Sequence, residues 1–566
     1  MGYLEKYNQW LNKKDLDPSL HAELLGMSEE QKKDAFYMDA EFGTAGMRNL
    51  LGAGTNRLNI YVIQRANVGF AKYILNQPDG AKRGVAISYD NRHQSYRFAI
   101  ESAKVLAHYG IRSYIMEALR PTPELSFAVR YLKCAGGIMV TASHNPKEYN
   151  GYKVYDDTGC QLLPDDVKVI VDEINKVPDI LNVPTATDDE AYPYITWVGE
   201  EVDKAYYDAV KTCEINHDLD KSDFKIVYSP QHGADNMPVR TVLKELGYNC
   251  IPVLAQCAPD PDYTNTKSPN PEVPAAYDLA IKKAKEVDAD VVVVTDPDGD
   301  RLGVVAKHNG EYVLMSGNQS AAVYLEYILS QLKAKGKLPT NGVMYNTIVT
   351  SDLGELVARS YGVDVEKTLT GFKFIGDKIR KYEKTGEKVF LFGYEESYGC
   401  VIKDFVRDKD GVQAVLTAAE CGVYYKKQGK DLIDVLNELY AKHGTFKETQ
   451  VALSKSGEAG LKRIQEILAD LRANEPKEIG GLKVKSIEDY QASLKKNADG
   501  STSTIDLPKS NVLKYYLEDG SWIAARPSGT EPKIKFYFSI KGKDAKDASD
   551  KTDVLQKAML TIVHEG

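Results

Sequence analysis

Three aspartates in five residues, Asp296, Asp298 and Asp300 of Asp296-Pro297-Asp298-Gly299-Asp300-Arg301, stand directly behind four consecutive valines. Carboxylates this close repel one another unless a cation lies between them, and an all-oxygen donor set selects a hard ion such as Mg²⁺. An EF-hand loop would need Gly where Arg301 stands and Glu where Lys307 stands, so a calcium loop of that kind is ruled out. A solvated acidic turn would explain the Pro and Gly, but not acids at alternate positions after a buried strand. Thr141-Ala142-Ser143-His144-Asn145-Pro146 sets a hydroxyl beside an imidazole, which makes Ser143 a candidate nucleophile. Thr141 and Asn145 replace both glycines of the G-x-S-x-G elbow, so acyl transfer is disfavoured; taken by itself, the segment reads more readily as an Asn-Pro turn. Arg526-Pro527-Ser528-Gly529-Thr530-Glu531-Pro532-Lys533 offers a guanidinium fork, two hydroxyls and an ammonium, a set that suits a phosphate; a polar hairpin loop would have much the same composition. Gly393-Tyr394-Glu395-Glu396-Ser397-Tyr398-Gly399 presents acids and hydroxyls suited to the vicinal hydroxyls of a sugar, or to an acidic surface turn. Gly371 and Gly376 have P-loop spacing, but Asp377-Lys378 follow where Lys-Ser/Thr is needed, so ATP hydrolysis loses its support.

The elements behind these loops have a common form. Short runs at 84–90, 137–143, 226–230, 291–296 and 389–395 are apolar on both faces, which predicts buried, parallel strands. Amphipathic helices are expected between them, for example over 96–109, closed by Gly110, and over 276–286. The alternation gives an α/β class, in which ligands bind beyond the carboxyl ends of strands. From about 445 to 498 the chain is charged and reads as helical; 521–525 and 534–538 then read as two strands around a loop, giving a separate α+β domain.

A chain of 566 residues exceeds what one core organises, and three or four domains are expected. Its hydrophobic content of 43% and charged content of 27% are those of a globular protein. A net charge of -9 and a pI near 5.7 argue against nucleic-acid or anionic-membrane partners, which need a basic face. Seven scattered cysteines without a CxxC pair suggest neither a disulfide framework nor zinc. The opening Met1-Gly2-Tyr3-Leu4-Glu5-Lys6 has no signal-peptide pattern and no apolar stretch approaches a membrane span, so a cytoplasmic location is expected.

The four loops, in this order, resemble those of the α-D-phosphohexomutase superfamily of phosphoglucomutases and phosphomannomutases. The resemblance spans nearly the whole chain. Glu41-Phe42-Gly43-Thr44-Ala45-Gly46-Met47-Arg48 is similar to the family's amino-terminal signature, and Asn150-Gly151-Tyr152-Lys153 to the segment after its serine. Tyr228-Ser229-Pro230-Gln231-His232-Gly233, with the Gly-Tyr-Glu-Glu-Ser loop, looks closer to the branch of type-two phosphoglucomutases and phosphopentomutases.

The resemblance implies three related α/β domains and a C-terminal α+β domain around a central cleft, with boundaries expected at 1–205, 206–317, 318–444 and 445–566. It implies that Ser143 carries the phosphoryl group, with Mg²⁺ held by Asp296, Asp298, Asp300 and a phosphoserine oxygen. Arg48, His144, Lys153, Arg301 and Lys409 match catalytic positions, the lysines and His144 being proton-transfer candidates. Glu395, Ser397, Thr370 and Gly371 match substrate positions, and Arg526, Ser528, Gly529 and Thr530 the grip on the phosphate not being transferred. The activity implied is interconversion of glucose 1-phosphate and glucose 6-phosphate through a hexose 1,6-bisphosphate that also activates the enzyme, acting as monomer or homodimer. Mannose or pentose phosphates are alternative substrates. A non-catalytic sugar-phosphate sensor would need one of these loops degraded, and none is. A phosphatase with an aspartate nucleophile would need Thr where Asp300 stands.

Overall fold

The computed structural model describes residues 2–43, 46–455, 457–528 and 533–565. The chain forms two compact units, one of residues 1–317 with 371–431 and the other of 318–370 with 432–566.

The first unit opens with helices Tyr3–Leu11, Pro18–Gly26 and Glu29–Phe36, the last started by a Ser28–Gln31 capping box. They bury Tyr7, Trp10, Leu24 and Phe36 against Tyr61. Six strands follow in one sheet: β1 (Met47–Leu50), β2 (Val85–Tyr89), β3 (Ser113–Met116), β4 (Gly136–Val140), β5 (Tyr149–Tyr155) and β6 (Ile195–Val198), in the order β1-β5-β4-β2-β3-β6. The pairs β2–β4, β2–β3 and β3–β6 are parallel, while β5 returns antiparallel to β4 and β1 pairs antiparallel with β5. Alternate residues of β2 enter two cores: Val85 and Ile87 join Phe70 and Leu106 on one face, and Ala86 joins Leu125 and Met139 on the other. Burial on both faces is why the strand is an unbroken apolar run.

A second sheet holds β7 (Lys225–Ser229), β8 (Asn249–Pro252), β9 (Val291–Thr295), β10 (Leu302–His308) and β11 (Glu311–Met315), ordered β11-β10-β9-β7-β8. β7 runs parallel to β8 and β9, and β10 turns back antiparallel to β9. The expected helix over 96–109 forms as Ser95–His108; the one over 276–286 forms as Asp278–Val287 behind a 3₁₀ turn, Pro274–Tyr277. The returning segment, 371–431, contributes helix Phe372–Thr385, the antiparallel pair Val389–Glu395 and Gly399–Val401, and helix Gly411–Lys426, capped by the Asp410 carboxylate.

In the second unit, strands Gly342–Thr347 and Asp364–Thr368 pair in parallel. An antiparallel sheet then runs Thr445–Ser454, Lys533–Gly542, Trp522–Pro527, Leu513–Leu517, Leu482–Asp489, Leu494–Asn497 and Thr502–Thr504. The two strands expected around the Arg526 loop are present and paired, Ile523 opposite Phe538. The helical expectation for 445–498 holds only over Gly457–Ala473; most of the remainder is strand. In Leu482–Asp489 the lysines Lys483 and Lys485 face water while Val484, Ser486 and Ile487 are buried. A bulge between Val484 and Ser486 puts Ser486 and Ile487 both inside and cuts the period-two alternation short. All seven cysteines are free thiols, and no helix among the described residues is long and apolar enough to cross a membrane.

Candidate active site

The aspartate loop leaves the carboxyl end of β9 and closes on itself. Asp296 Oδ1 accepts from the backbone N–H groups of Asp300 (3.1 Å) and Arg301 (3.0 Å), and Gly299 turns at φ 69°, where a side chain would strike Asp235. All three carboxylates are buried, and one oxygen of each lies within 4.8 Å of the others. Burial, followed by the charges of Asp298 and Asp300, pushes Asp296 well above the usual carboxylate range. Asp298 is also penalised by burial, but the Lys153 ammonium beside it and a hydrogen bond from Asp296 hold it low. Asp298 Oδ1 and Asp300 Oδ1 are buried without a hydrogen-bond donor from the protein. Hard oxygen donors converging with unused lone pairs fit a divalent cation.

Ser143 sits between β4 and β5 at φ 52°, the left-handed region that non-glycine residues adopt at a cost of about 1 kcal/mol. The turn aims its Oγ at the metal loop: Oγ donates to Asp296 Oδ2 at 2.8 Å, and His144 Nδ1 lies 3.2 Å from the Ser143 Oγ. Burial, then the positive charges of Arg301 and Arg48, keep His144 well below its ordinary pKa, so its ring is neutral. Arg48, on β1 opposite Gly151, donates to the Asn145 side chain at 3.0 Å.

Two lysines reach the same carboxylates. Lys153, on β5, donates to Asp298 Oδ2 at 2.9 Å; Lys409 lies 3.1 Å from Asp300 Oδ2 and 3.6 Å from Glu395 Oε2. Burial opposes charge on both, but Asp298 and Asp300 beside Lys153, and Asp300 and Asp408 beside Lys409, raise them above the usual lysine range. Both are cations. Lys409 is fixed because Asp410 caps the next helix, and because Gly399 carries no Cβ to collide with its methylenes. Arg301 Nη1 pairs with Glu272 Oε1 at 2.7 Å, with Nε 3.7 Å from Asp300 Oδ1. Glu395 Oε1 accepts from the Gly371 N–H at 2.7 Å. Ser397, half-buried, lies in the turn whose Tyr398 carbonyl accepts from Leu302 N–H at the start of β10. Thus Ser143, His144, Arg48, Lys153, Arg301, Lys409, Glu395, Ser397 and Gly371 all belong to the first unit with the three aspartates.

Thr370, Arg526 and Ser528 belong to the second unit. Arg526 is half-buried near the end of Trp522–Pro527, and the Ser528 N–H donates to the Lys533 carbonyl at 2.7 Å, closing the hairpin. Gly529 and Thr530 lie outside the described residues, as do Thr44 and Ala45 of the amino-terminal signature.

Family models cover the chain almost end to end. Those for phosphoglucomutase/phosphomannomutase α/β/α domains I, II and III match residues 39–180, 204–310 and 316–443, and that for the C-terminal domain matches 454–552. A Staphylococcus haemolyticus phosphoglucomutase is 38% identical over 515 residues, 90% of this chain and 92% of that one. A Staphylococcus aureus (strain MRSA252) phosphoglucomutase is 39% identical over 531 residues, 93% and 94% of the two chains. The chain belongs to the phosphoglucomutase/phosphomannomutase family. Its fold is shared by a solved phosphoglucomutase/phosphomannomutase family protein from Burkholderia thailandensis (TM-score 0.67, 19% identity, 93% of this chain and 98% of that one). The open form of pp63/parafusin from Paramecium is comparably similar (TM-score 0.66, 19% identity, 94% and 95%). Members of the family are enzymes that transfer phosphate within a sugar, and this chain is an enzyme of that class, with a buried acidic triad suited to a metal.

Sequence reading missed Thr122, whose Oγ1 donates to Asp298 Oδ2 at 3.0 Å and whose N–H donates to the Asp298 carbonyl at 2.8 Å. It also missed Asp408, bound by Tyr155 Oη at 2.9 Å, and Glu272. Asp408 stands one residue from Lys409, where a second acid beside a basic residue was the available signal; Thr122 and Glu272 lie far from any motif.

Proposed function

We propose that this protein is a phosphoglucomutase that interconverts glucose 1-phosphate and glucose 6-phosphate through a phosphoserine at Ser143 and a glucose 1,6-bisphosphate intermediate. The observation that carries this reading is the buried Ser143 hydroxyl, 2.8 Å from Asp296 inside a ring of three carboxylates and two lysines. The curated relatives' names support glucose phosphates as substrates over mannose or pentose phosphates.

In the forward half-reaction the P–O bond to Ser143 breaks and a P–O bond to the open sugar hydroxyl forms. The attacking sugar hydroxyl loses a proton and the Ser143 oxygen regains one. His144 Nδ1, 3.2 Å from that oxygen, takes the Ser143 proton as a neutral base when the serine is rephosphorylated and, so protonated, returns it when the serine gives up the phosphoryl group. Lys153, Lys409 and Arg301, all cationic, offset charge spread over the phosphoryl oxygens, which is most of what this reaction asks of a protein. Asp296, Asp298 and Asp300 would hold Mg²⁺, which would supply Lewis-acid charge neutralisation. Glu395 and Ser397, with Thr370 and Gly371, read sugar hydroxyls. Arg526, Ser528, Gly529 and Thr530 grip a phosphate monoester. The bisphosphate then presents its other phosphate and rephosphorylates Ser143; added bisphosphate does the same for an enzyme that has lost its phosphoryl group. We place the four domains at 1–205, 206–317, 318–444 and 445–566 and the enzyme in the cytoplasm, as a monomer or homodimer.

A coupled assay on glucose, mannose and ribose phosphates, with and without glucose 1,6-bisphosphate, tests this reading. Fastest turnover on glucose 1-phosphate, raised by the bisphosphate, is expected. No turnover on any of the three would reject it.

A further inference from the structure

Ser143 keeps its left-handed turn inside the loop 141–148, between β4 and β5, whose carbonyls need donors. Those of Ser143, Asn145 and Pro146, with that of Tyr149 at the start of β5, accept from a single side chain. Arg92 Nη2 donates to the Ser143 carbonyl at 2.5 Å and to that of Asn145 at 2.6 Å, while Nη1 donates to those of Pro146 at 2.8 Å and Tyr149 at 3.1 Å. The Arg92 side chain is wholly buried, as is Asp90, whose Oδ2 lies 3.2 Å from Arg92 Nε. Asp90 reaches the same loop from the other side. It accepts from Thr141 Oγ1 at 2.6 Å, and Thr141 Oγ1 in turn accepts the Ser143 N–H at 2.8 Å. Asp90 also accepts from the Arg92 N–H and from Ser95 Oγ, which fixes its own position. The guanidinium lies over the Tyr263 ring, 5.4 Å from its centroid.

We infer that Arg92, oriented by Asp90, is the positioning residue that holds Ser143 in line for phosphoryl transfer. It touches no reacting atom. It acts through the peptide groups on both sides of Ser143, one gripped at its carbonyl by Arg92 and the other at its N–H through Thr141 and Asp90. The inference rests on Ser143 as the phosphoryl carrier. Only a planar fork spans four carbonyls from one point; the ammonium of lysine is a compact charge on a flexible stem and cannot hold them all. A loop freed of the clamp leaves Ser143 able to relax from its left-handed turn, and displacements of about 1 Å cost roughly 10²-fold in rate where geometry governs the step. A mobile phosphoserine is also open to water, which takes the phosphoryl group to give free Ser143 and inorganic phosphate.

The test compares wild type with Arg92→Lys and Arg92→Ala after phosphorylation with glucose 1,6-bisphosphate, the label being mapped by peptide mass spectrometry and all rates expressed per phosphorylated chain. Arg92→Lys is expected to lower kcat about 10²-fold with KM within threefold. Its phosphoenzyme should lose a larger share of phosphoryl groups to water than to glucose 1-phosphate. Millimolar guanidinium chloride, and not sodium chloride, should restore part of the kcat of Arg92→Ala, a response that general loss of folding would not give. A kcat for Arg92→Lys within threefold of wild type, or unchanged partition to water, would overturn the clamp while leaving the carrier intact. A label on wild type at any residue other than Ser143 would instead overturn the reading beneath it.

Discussion

Ser143 combines an uncommon backbone conformation with a hydroxyl aimed at Asp296, and its chemistry depends on that hydroxyl alone. Ser143→Ala should leave the far-UV spectrum and thermal midpoint near wild type and lower kcat by at least roughly 10⁴-fold, as for loss of other covalent carriers. Steady-state turnover above one hundredth of wild type would remove the serine from the mechanism. Asp298 holds Lys153 and keeps one oxygen unused. Asp298→Asn halves neither its size nor its reach but removes its charge, so kcat should fall by roughly 10²-fold and half-saturating Mg²⁺ should rise together with it. An unchanged Mg²⁺ titration would exclude Asp298 from the metal site. Asp298 was legible because three acids in five residues need a partner, whereas the Ser143 segment by itself reads as an Asn-Pro turn and gained its role from the resemblance of all four loops together. Arg92 was not legible, since a lone arginine three residues beyond a strand looks like any solvated surface cation until four carbonyls are found around it.

At the scale of elements, strands were easiest to read where both faces are covered. β2, β4 and β9 are buried at every residue, so nothing in their sequences competes with the apolar signal, and the rule that ligands gather beyond strand carboxyl ends led directly to Ser143 and Asp296. The antiparallel sheet of the second unit, irregular between Val484 and Ser486, defeated the same reasoning. Leu513–Leu517 there carries Lys514 with no exposed surface, its Nζ donating to the Ile348 carbonyl at 2.7 Å and lying 3.9 Å from the centre of the Trp522 ring. Burial, then the positive charge of Lys367, lowers its pKa to about 7. The unfolded chain therefore holds this proton over a window, from about pH 7 to the ordinary lysine range, in which the folded chain has released it. Stability from this group is lowest below pH 7 and rises across that window. Lys514→Met should flatten the rise, measured as the urea midpoint of the full chain at pH 7 and pH 9. A variant with the wild-type slope would show that Lys514 is not its source.

For the whole molecule, length alone indicated several domains, and four family models fall in order along it. The partition into compact units was not legible, because it depends on contacts between distant segments. Residues 318–370 group with the C-terminal region, whereas 371–431 return to the N-terminal one. The chain turns from net acidic before 370 to net basic after it, but a change of surface charge does not say which unit a segment packs into. The account as a whole requires that one hydroxyl in this chain alternate between free and phosphorylated forms. The most direct check is the intact mass of the purified protein before and after incubation with glucose 1,6-bisphosphate and Mg²⁺, followed by peptide mapping. A single added phosphoryl group on Ser143, removed again by excess glucose 1-phosphate, is the predicted result. A chain that gains no phosphoryl group while still turning over glucose 1-phosphate, or that carries it on an aspartate, would contradict it.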